Sequence, residues 1–413
     1  KGEKSILLVR DQFTSSTEGR IYRELGDALS GMVESFSFTS LAEKILSTEG
    51  GAAVQTLSDA GRAVLVRRAL EELQDNVHYY HRHRRSAAFC QMAAQTIDEL
   101  KSAGLSGQQL AQLAGACGAE SGKLSELALI FQGYETLLAR SGMDPSDRLE
   151  LAGARLEEAL ARHSLPEFLR DRAVFIDEFD TFNAPKKRLL GALLEALPSV
   201  TVALCDDGAP LLPGDLSLFS GAKQVAAQLR QLARKNGAEV AVPQLLRKDL
   251  RHRNAPGLAA VAELLETGSC TADAPADEVR LLAAPSREEE ARAAAGAIRR
   301  LMRQGVRCGK IAVVCRDIAK YRAAVRYEFR MAEIPLYCDE PTTPEFSAPA
   351  TAVRALLEIA RGADLTENLT TLAKTGLCAL SEEQVCALEN YAYTWAPTAA
   401  AWREKFAVSY THL

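Results

Sequence analysis

Four short apolar runs, each separated from the next by amphipathic sequence, constrain the fold of this chain more than any other feature. They are "SILLVR" from Ser5, "VESFSF" from Val33, "AVFID" from Ala173 and "SVTVALC" from Ser199. Helical spacing of apolar residues runs from Ser16 to Leu29, opens again at Ser40 to Leu46, and returns at Lys186 to Leu197. Strands joined through helices cannot be hairpin neighbours, so they pair in parallel with crossovers, giving an α/β fold. The expected strands 5–9, 33–37, 173–177 and 200–204 then share one sheet. Between the second and third, Leu57 to about Leu165 carries only helical patterning. It begins with "LSDAGRAVLVRRALEEL", capped by Ser58 or Asp59, and continues through "LSELALIFQGYETLLAR". This block is expected to be a helical insertion in the first α/β unit.

The third run ends in two acids. "AVFIDEFDTFNAP" reads as a buried strand that leaves the sheet as Asp177 and Glu178. In ATP-hydrolysing phosphate-loop proteins such an aspartate holds Mg²⁺ and the next glutamate orients or deprotonates the attacking water. That chemistry requires a glycine-rich loop, and no G-x-x-x-x-G-K-S/T occurs in the 413 residues. The alternative is that the two acids only cap the helix beginning near Ala184.

After Lys186–Leu197, helical patterning covers Leu218 to Asn236 and Leu245 to Leu265, with a short strand expected at "AEVAV" between them. "ETGSCTADAPADE" is small and polar, the best linker in the chain. Beyond it a second α/β unit is expected: strand "EVRLLAA", helix Arg287 to Met302, strand "KIAVVC", helix Ile318 to Met331, strand "IPLYC". Helices near 346–360, 366–374 and 381–394 follow.

Composition excludes several classes. The net charge of −5 argues against a protein that coats nucleic acid, while leaving room for a local basic groove. No apolar run approaches the roughly 20 residues of a membrane span, which points to a cytoplasmic protein without a membrane partner. Nine scattered cysteines without a C-x-x-C pair read as reduced thiols. The most basic stretch is "HYYHRHRRS", His78 to Ser86. Cations interleaved with aromatics suit a single nucleic-acid strand, with Arg82, Arg84 and Arg85 on phosphates and tyrosines on bases. The plainer alternative is a solvated loop.

Local motifs carry a resemblance to superfamily-one helicases of the UvrD/Rep type. "VRDQFTSSTE" lies where those helicases have a strand followed by "TFTNKAA", which touches single-stranded DNA. "SFTSLAEKIL" parallels "TFHSLARRIL", with Thr39 in place of the histidine. "KIAVVCRDIAKYRAAVRYEFRMAEIPLYCD" resembles "IAVLYRTNAQSRALEEALLRRGIPYRI", in which an arginine at the position of Arg316 reaches the nucleotide phosphates. One branch fits better: "LLVRDQFT", "SFSFTSLAEKIL", "KLSELALIFQGYE" and "KTGLCALSEEQVCALENYAYTW" resemble the AddB (RexB-related) subunits of bacterial ATP-dependent helicase–exonucleases, from about Ser5 to Trp402.

The resemblance implies a RecA-like, UvrD-helicase-like first domain over 1–56 and 166–244, with the helical insertion at 57–165. A connection and linker at 245–277 leads to an incomplete second RecA-like domain at 278–345 and its helical insertion at 346–407. It implies ATP and Mg²⁺ as cofactors, with Asp177, Glu178 and Arg316 at the nucleotide, Asp177 holding the metal through ATP, and Glu178 the candidate water-activating base. Phe13, Thr14, Ser37, Phe38 and Thr39 would contact DNA, with Arg82, Arg84 and Arg85. The implied partners are an AddA-type motor subunit and single- and double-stranded DNA ends. The implied role is scanning the unwound strand while the partner drives unwinding during recombinational repair of double-strand breaks.

The family's phosphate loop is expected about one strand–helix unit before "SILLV", and its nuclease, with an iron–sulfur cluster and its own metal, after Leu413. The stretch is therefore expected to lack nuclease and helicase activity alone. Its last residues, "VSYTHL" at 408–413, are also what GTC-TCT-TAT-ACA-CAT-CTN encodes, a sequence resembling a transposon-end adapter. Two features depart from the motors: "DEFDTF" has Asp180 where they carry the glutamine that senses the γ-phosphate, and "CDDGAPLLPGDLSLF" replaces "GDxxQSIY". The alternatives to a DNA- and nucleotide-binding subunit are a self-sufficient UvrD-type motor and a non-catalytic scaffold with a vestigial ATP site.

Overall fold

A computed structural model describes residues 4–118, 121–246, 250–269, 278–338, 346–363 and 365–404. The chain divides into two compact units, Lys1–Val279 and Arg280–Leu413.

The first unit is built on a parallel sheet of β1 (Ser5–Leu8), β2 (Val33–Phe36), β3 (Ala173–Ile176) and β4 (Ser199–Val202) in the order β2-β1-β3-β4. The four runs expected to share a sheet do so. Helices α1 (Thr14–Ser30), α2 (Phe38–Glu49), α8 (Ala184–Ala196) and α9 (Ser220–Lys235) follow β1, β2, β3 and β4 respectively. Ile6 and Leu8 of β1 and Val174 and Ile176 of β3 point into one core with Leu41 and Ile45 of α2 and Leu189 and Leu193 of α8.

Between α2 and β3 run α3 (Asp59–Glu72), α4 (Ala87–Ser102), α5 (Gly107–Ala114), α6 (Ser121–Ser141) and α7 (Pro145–Ala161). Ser58 caps α3 by accepting the Gly61 N–H at 3.2 Å. Helices α3 to α6 enclose a second core around Val66, Leu70, Ile97, Ile130 and Phe131. Helix α7 behaves differently: its Ala152 and Leu156 join the core under the sheet, and it packs on α2 and α8. The separately packed helical block thus closes at α6, although helical patterning continues to Leu165.

Several expected elements are not formed. "AEVAV" at 238–242 has no strand pairing, and Val242 is 91% exposed. The helix expected from Leu245 appears as α10 (Pro256–Thr267). Proline lacks the N–H of a helix interior and restrains the residue before it, and Ala255 is held at φ −144°. The linker's Cys270 to Asp277 and the tail after Glu404 lie outside the described residues.

In the second unit, α11 (Arg287–Arg303) and α12 (Ile318–Met331) form where expected and pack through Ala295, Ile298 and Phe329, with Ile334 closing the cluster. The segments "EVRLLAA", "KIAVVC" and "IPLYC" are not strands among the described residues. A parallel strand exists only with a neighbour in register, and these runs have none; Leu281 and Val314 are almost wholly exposed. Helices α13 (Ala348–Ala360), α14 (Leu365–Lys374) and α15 (Glu382–Trp395) complete the unit. No described helix is long and apolar enough to cross a membrane.

Candidate functional site at the carboxyl edge of the sheet

Because all four strands run in one direction, their carboxyl ends share one edge, where parallel sheets bind ligands. The ladder continues one step past the strands: Asp177 N donates to Leu8 O at 3.0 Å, Ala203 N to Ile176 O at 2.9 Å and Val9 N to Phe36 O at 2.9 Å. Beyond that step the chain turns out. Asp177 and Glu178 are both exposed, and Phe179 and Phe182 turn back into the core against Phe38, with ring centroids 5.2 and 6.0 Å away. This aromatic cluster fixes the loop that holds the acids outward.

Backbone geometry around the pair is unusual. Glu178 has φ +68°, the left-handed region that favours glycine, and its N–H donates to Asp177 Oδ1 at 2.8 Å. The plainer role of helix capping is filled by another residue. Asn183 caps α8, its Oδ1 accepting the Lys186 N–H at 3.1 Å. Asp177 Oδ2 has no hydrogen-bond or ion-pair partner among the described residues. Among the described residues no group of three or more His, Cys, Asp or Glu converges as a metal cage. One exposed carboxylate suits Mg²⁺ bound jointly by protein and nucleotide phosphates, since Mg²⁺ usually keeps several waters.

The residues expected on DNA separate into accessible and inaccessible. Phe13 is 36% exposed on a short turn, Asp11–Phe13, at the end of β1, and Thr14 opens α1 with its hydroxyl donating to Asp11 O at 3.1 Å. Thr39 is exposed in the first turn of α2. Ser37 and Phe38, expected on DNA, have buried side chains. The Ser37 hydroxyl is buried and caps α2, accepting the Ser40 N–H at 3.1 Å, and Phe38 is a core residue at 2% exposure. Neither side chain is available to a nucleotide. Their apolar-polar alternation continued β2 in sequence, whereas the chain turns into α2 at Ser37.

Two basic residues of this edge escaped the sequence reading. Arg10, at the end of β1, forms an ion pair with Asp180, the residue in place of the motor glutamine. Lys186, in the first turn of α8, lies 5.6 Å from the Phe38 ring centroid and 5.4 Å from that of Phe179. The loop after β4 is pinned to α9 by the buried Lys223, whose ammonium pairs with Asp207 at 3.0 Å and Asp215 at 3.4 Å. "CDDGAP" is thus used internally.

The basic stretch sits apart, on the connection from α3 to α4. Glu126 of α6 accepts the backbone N–H groups of His78, Tyr79 and Tyr80 at 2.8, 2.7 and 3.1 Å. Burial pushes its carboxyl up, and the three N–H donors outweigh that and hold it below the ordinary glutamate range. The anchored loop presents Tyr79 at 62% exposure, and the side chains of Arg82, Arg84 and Arg85 have no hydrogen-bond or ion-pair partner among the described residues. Arg316 belongs to the second unit, exposed just before Asp317 and α12. It does not end a strand, because "KIAVVC" forms none.

The sequence matches the family described as "ADDB, N-terminal" over residues 1–262. The chain belongs to the AddB family. Over 98% of its length it is 32% identical to the B subunit of the ATP-dependent helicase/deoxyribonuclease of Desulforudis audaxviator. It is 31% identical to the B subunit of Symbiobacterium thermophilum and 30% to that of Moorella thermoacetica, again over 98% of the chain. In each case it spans 35% of the relative's length, about a third. In this AddB-family chain the acid pair, Arg10, Lys186, Phe13 and Thr39 all derive from segments that leave the carboxyl edge of one sheet.

Proposed function

We propose that this chain is the DNA- and nucleotide-binding part of an AddB-type subunit, acting with an AddA-type motor on double-strand DNA ends. Asp177 serves as the Mg²⁺–ATP carboxylate and Glu178 as the group that orients water; Arg316, on the second unit, serves as a nucleotide-phosphate contact in its own right. Phe13 and Thr39 meet the single strand, and the Tyr79–Arg85 loop adds phosphate contacts that any sequence would satisfy. The observation that carries this reading is the exposed acid pair at the carboxyl end of a central parallel strand, with helix capping assigned elsewhere. Bound ATP would supply a triphosphate whose charge Mg²⁺ neutralises. This chain's residues would hold the metal through one carboxylate and keep the loop rigid through Phe38, Phe179 and Phe182.

The engagement of Asp180 by Arg10 favours a subunit over a self-sufficient motor, because the position that senses the γ-phosphate in motors is here closed by an ion pair. The test is the full-length protein, alone and with its partner subunit, assayed for Mg²⁺-dependent ATP binding and for hydrolysis with and without DNA. ATP binding lost in Asp177→Asn, with DNA-stimulated unwinding only in the complex, is the expected result. Unwinding by the protein alone would establish the motor reading, and wild-type protein without ATP affinity would establish a vestigial site.

A further inference from the structure

Lys186 is a partly buried cation seated over two aromatic rings without an anionic partner among the described residues. It is one of three consecutive basic residues, and the other two are partnered: Lys187 donates to Gln228 Oε1 at 2.7 Å and Arg188 pairs with Glu157 at 2.6 Å. The Lys186 ammonium has no hydrogen bond or ion pair among the described residues. It is half-buried against the faces of Phe38 and Phe179, both core residues, so the side chain is fixed in place by tightly packed rings. It also lies in the first turn of α8, where the helix dipole disfavours a cation. Burial lowers its proton affinity; Asp11 opposes that, and Arg10 adds to it. Each of these costs is relieved by an incoming anion.

The surroundings indicate which anion. Arg10 and Asp11 follow β1, Phe38 opens α2 directly after β2, and Phe179 lies in the loop after β3, so the lysine stands over the β2-β1-β3 part of the edge. The same part exposes Phe13 and Thr39, the residues proposed to meet the single strand. We propose that Lys186 binds a backbone phosphate of a single nucleic-acid strand crossing the carboxyl ends of β1 and β2. This inference rests on the proposed DNA-binding function. Lys186 acts as a point charge on a rigid aromatic seat, giving affinity without base preference.

The experiment uses full-length protein, a fluorescein-labelled oligothymidylate read by anisotropy across a salt series, and a fluorescent Mg²⁺–ATP analogue in parallel. Lys186→Met keeps the apolar contact with the rings and removes the charge. It is expected to weaken oligothymidylate binding about tenfold at low salt, the scale of a hydrogen bond to a charged group. The log–log salt slope is expected to become shallower by about 0.7, one phosphate contact on a single strand. Lys186→Arg should stay near wild type, and the ATP analogue should bind all three proteins alike. Oligothymidylate affinity and slope unchanged in Lys186→Met would overturn the proposal. Loss of ATP-analogue binding instead would reassign the lysine to nucleotide, and weakened DNA binding with an unchanged slope and a lowered melting temperature would make it structural; either overturns it. Wild-type protein that fails to bind the oligonucleotide would remove the DNA-binding reading and this inference with it.

Discussion

Arg10 and Asp180 form an ion pair that bridges the carboxyl ends of β1 and β3, the two central strands of the sheet. Asp180 is 83% exposed on its side chain, so the pair stabilises the fold by no more than about 0–1 kcal/mol. Its consequence is electrostatic: the carboxylate neutralises an arginine on the edge proposed to meet DNA. Asp180→Asn is expected to leave the melting temperature almost unchanged and to strengthen single-strand binding a few-fold. The salt slope should steepen by about 0.7 as Arg10 becomes free for a phosphate. Anisotropy titrations at several salt concentrations check this, and weaker binding in Asp180→Asn would show that the pair positions Arg10 for DNA.

Glu178 holds a left-handed backbone, φ +68°, in the loop after β3. A non-glycine residue there costs roughly 1–2 kcal/mol, whereas glycine gives up about 0.5–1 kcal/mol of unfolded-state entropy. Glu178→Gly is therefore expected to be neutral or stabilising by up to about 1 kcal/mol, while removing the proposed water-orienting carboxylate. In full-length protein, denaturant midpoints should hold or rise as ATP hydrolysis falls and ATP binding persists. A clear loss of stability would show that the Glu178 side chain supports the loop.

The sheet was legible because its strands are apolar runs bounded by capped helices, and the parallel pairing follows from the crossovers alone. Asp177 and Glu178 were legible because two acids cannot end a buried strand without leaving the sheet. The burial of Ser37 and Phe38 was not legible, for a physical reason: the capping hydroxyl and the core ring belong to the α2 entrance, and sequence alone cannot tell a serine that caps from one that faces a ligand. Lys186 gave no local signal, since its significance comes from rings on two other segments. The three expected strands of the second unit were read from apolar content, which is necessary for a strand but does not supply the neighbour its backbone must bond.

Arg316 is exposed and has no hydrogen bond or ion pair among the described residues. Its removal is therefore expected to leave stability within about 0.5 kcal/mol of wild type. Under the proposed nucleotide role, Arg316→Ala in full-length protein should weaken ATP binding by about tenfold or more, the cost of one charge-assisted contact. Equilibrium binding of a fluorescent ATP analogue, beside a melting curve, decides it; unaltered affinity would show that Arg316 does not contact nucleotide.

The joint between the helical block and α7 is a buried ionic cluster. Lys101 of α4 donates to Asp144 and Asp147 at 2.7 Å each, and the Tyr134 hydroxyl of α6 donates to Asp144 at 2.6 Å. Asp144 is 1% exposed. Burial first, and then the Asp144 carboxylate, push the Tyr134 hydroxyl far above its ordinary range, so it stays a donor at any ordinary pH. Lys101→Met leaves Asp144 a buried charge lacking its cation and is expected to cost about 3–5 kcal/mol. Tyr134→Phe removes one donor only, about 1–3 kcal/mol. Urea denaturation of each variant measures both, and a Lys101→Met cost no larger than that of Tyr134→Phe would show that Asp144 does not depend on the Lys101 cation.

Glu126 offers a pH test of the basic loop. Its carboxyl is held below the ordinary glutamate range, so the folded state favours the ionised form more than the unfolded chain does. The stabilisation is then fully present above the unfolded value, roughly pH 4.3, and is lost as pH falls through the lower folded value. Glu126→Gln keeps a similar volume but turns an amide toward three N–H donors, those of His78, Tyr79 and Tyr80. It is expected to cost about 1–3 kcal/mol and to abolish the part of the acid-induced loosening that Glu126 causes. If the loop contacts DNA, the variant should also bind a single strand a few-fold more weakly at neutral pH, because Arg82, Arg84 and Arg85 lose their fixed base. Hydrogen exchange at residues 78–80 between pH 3 and pH 6, wild type against variant, reads the anchoring directly. Protection of those amides that is the same in both proteins across that range would show that Glu126 does not hold the loop.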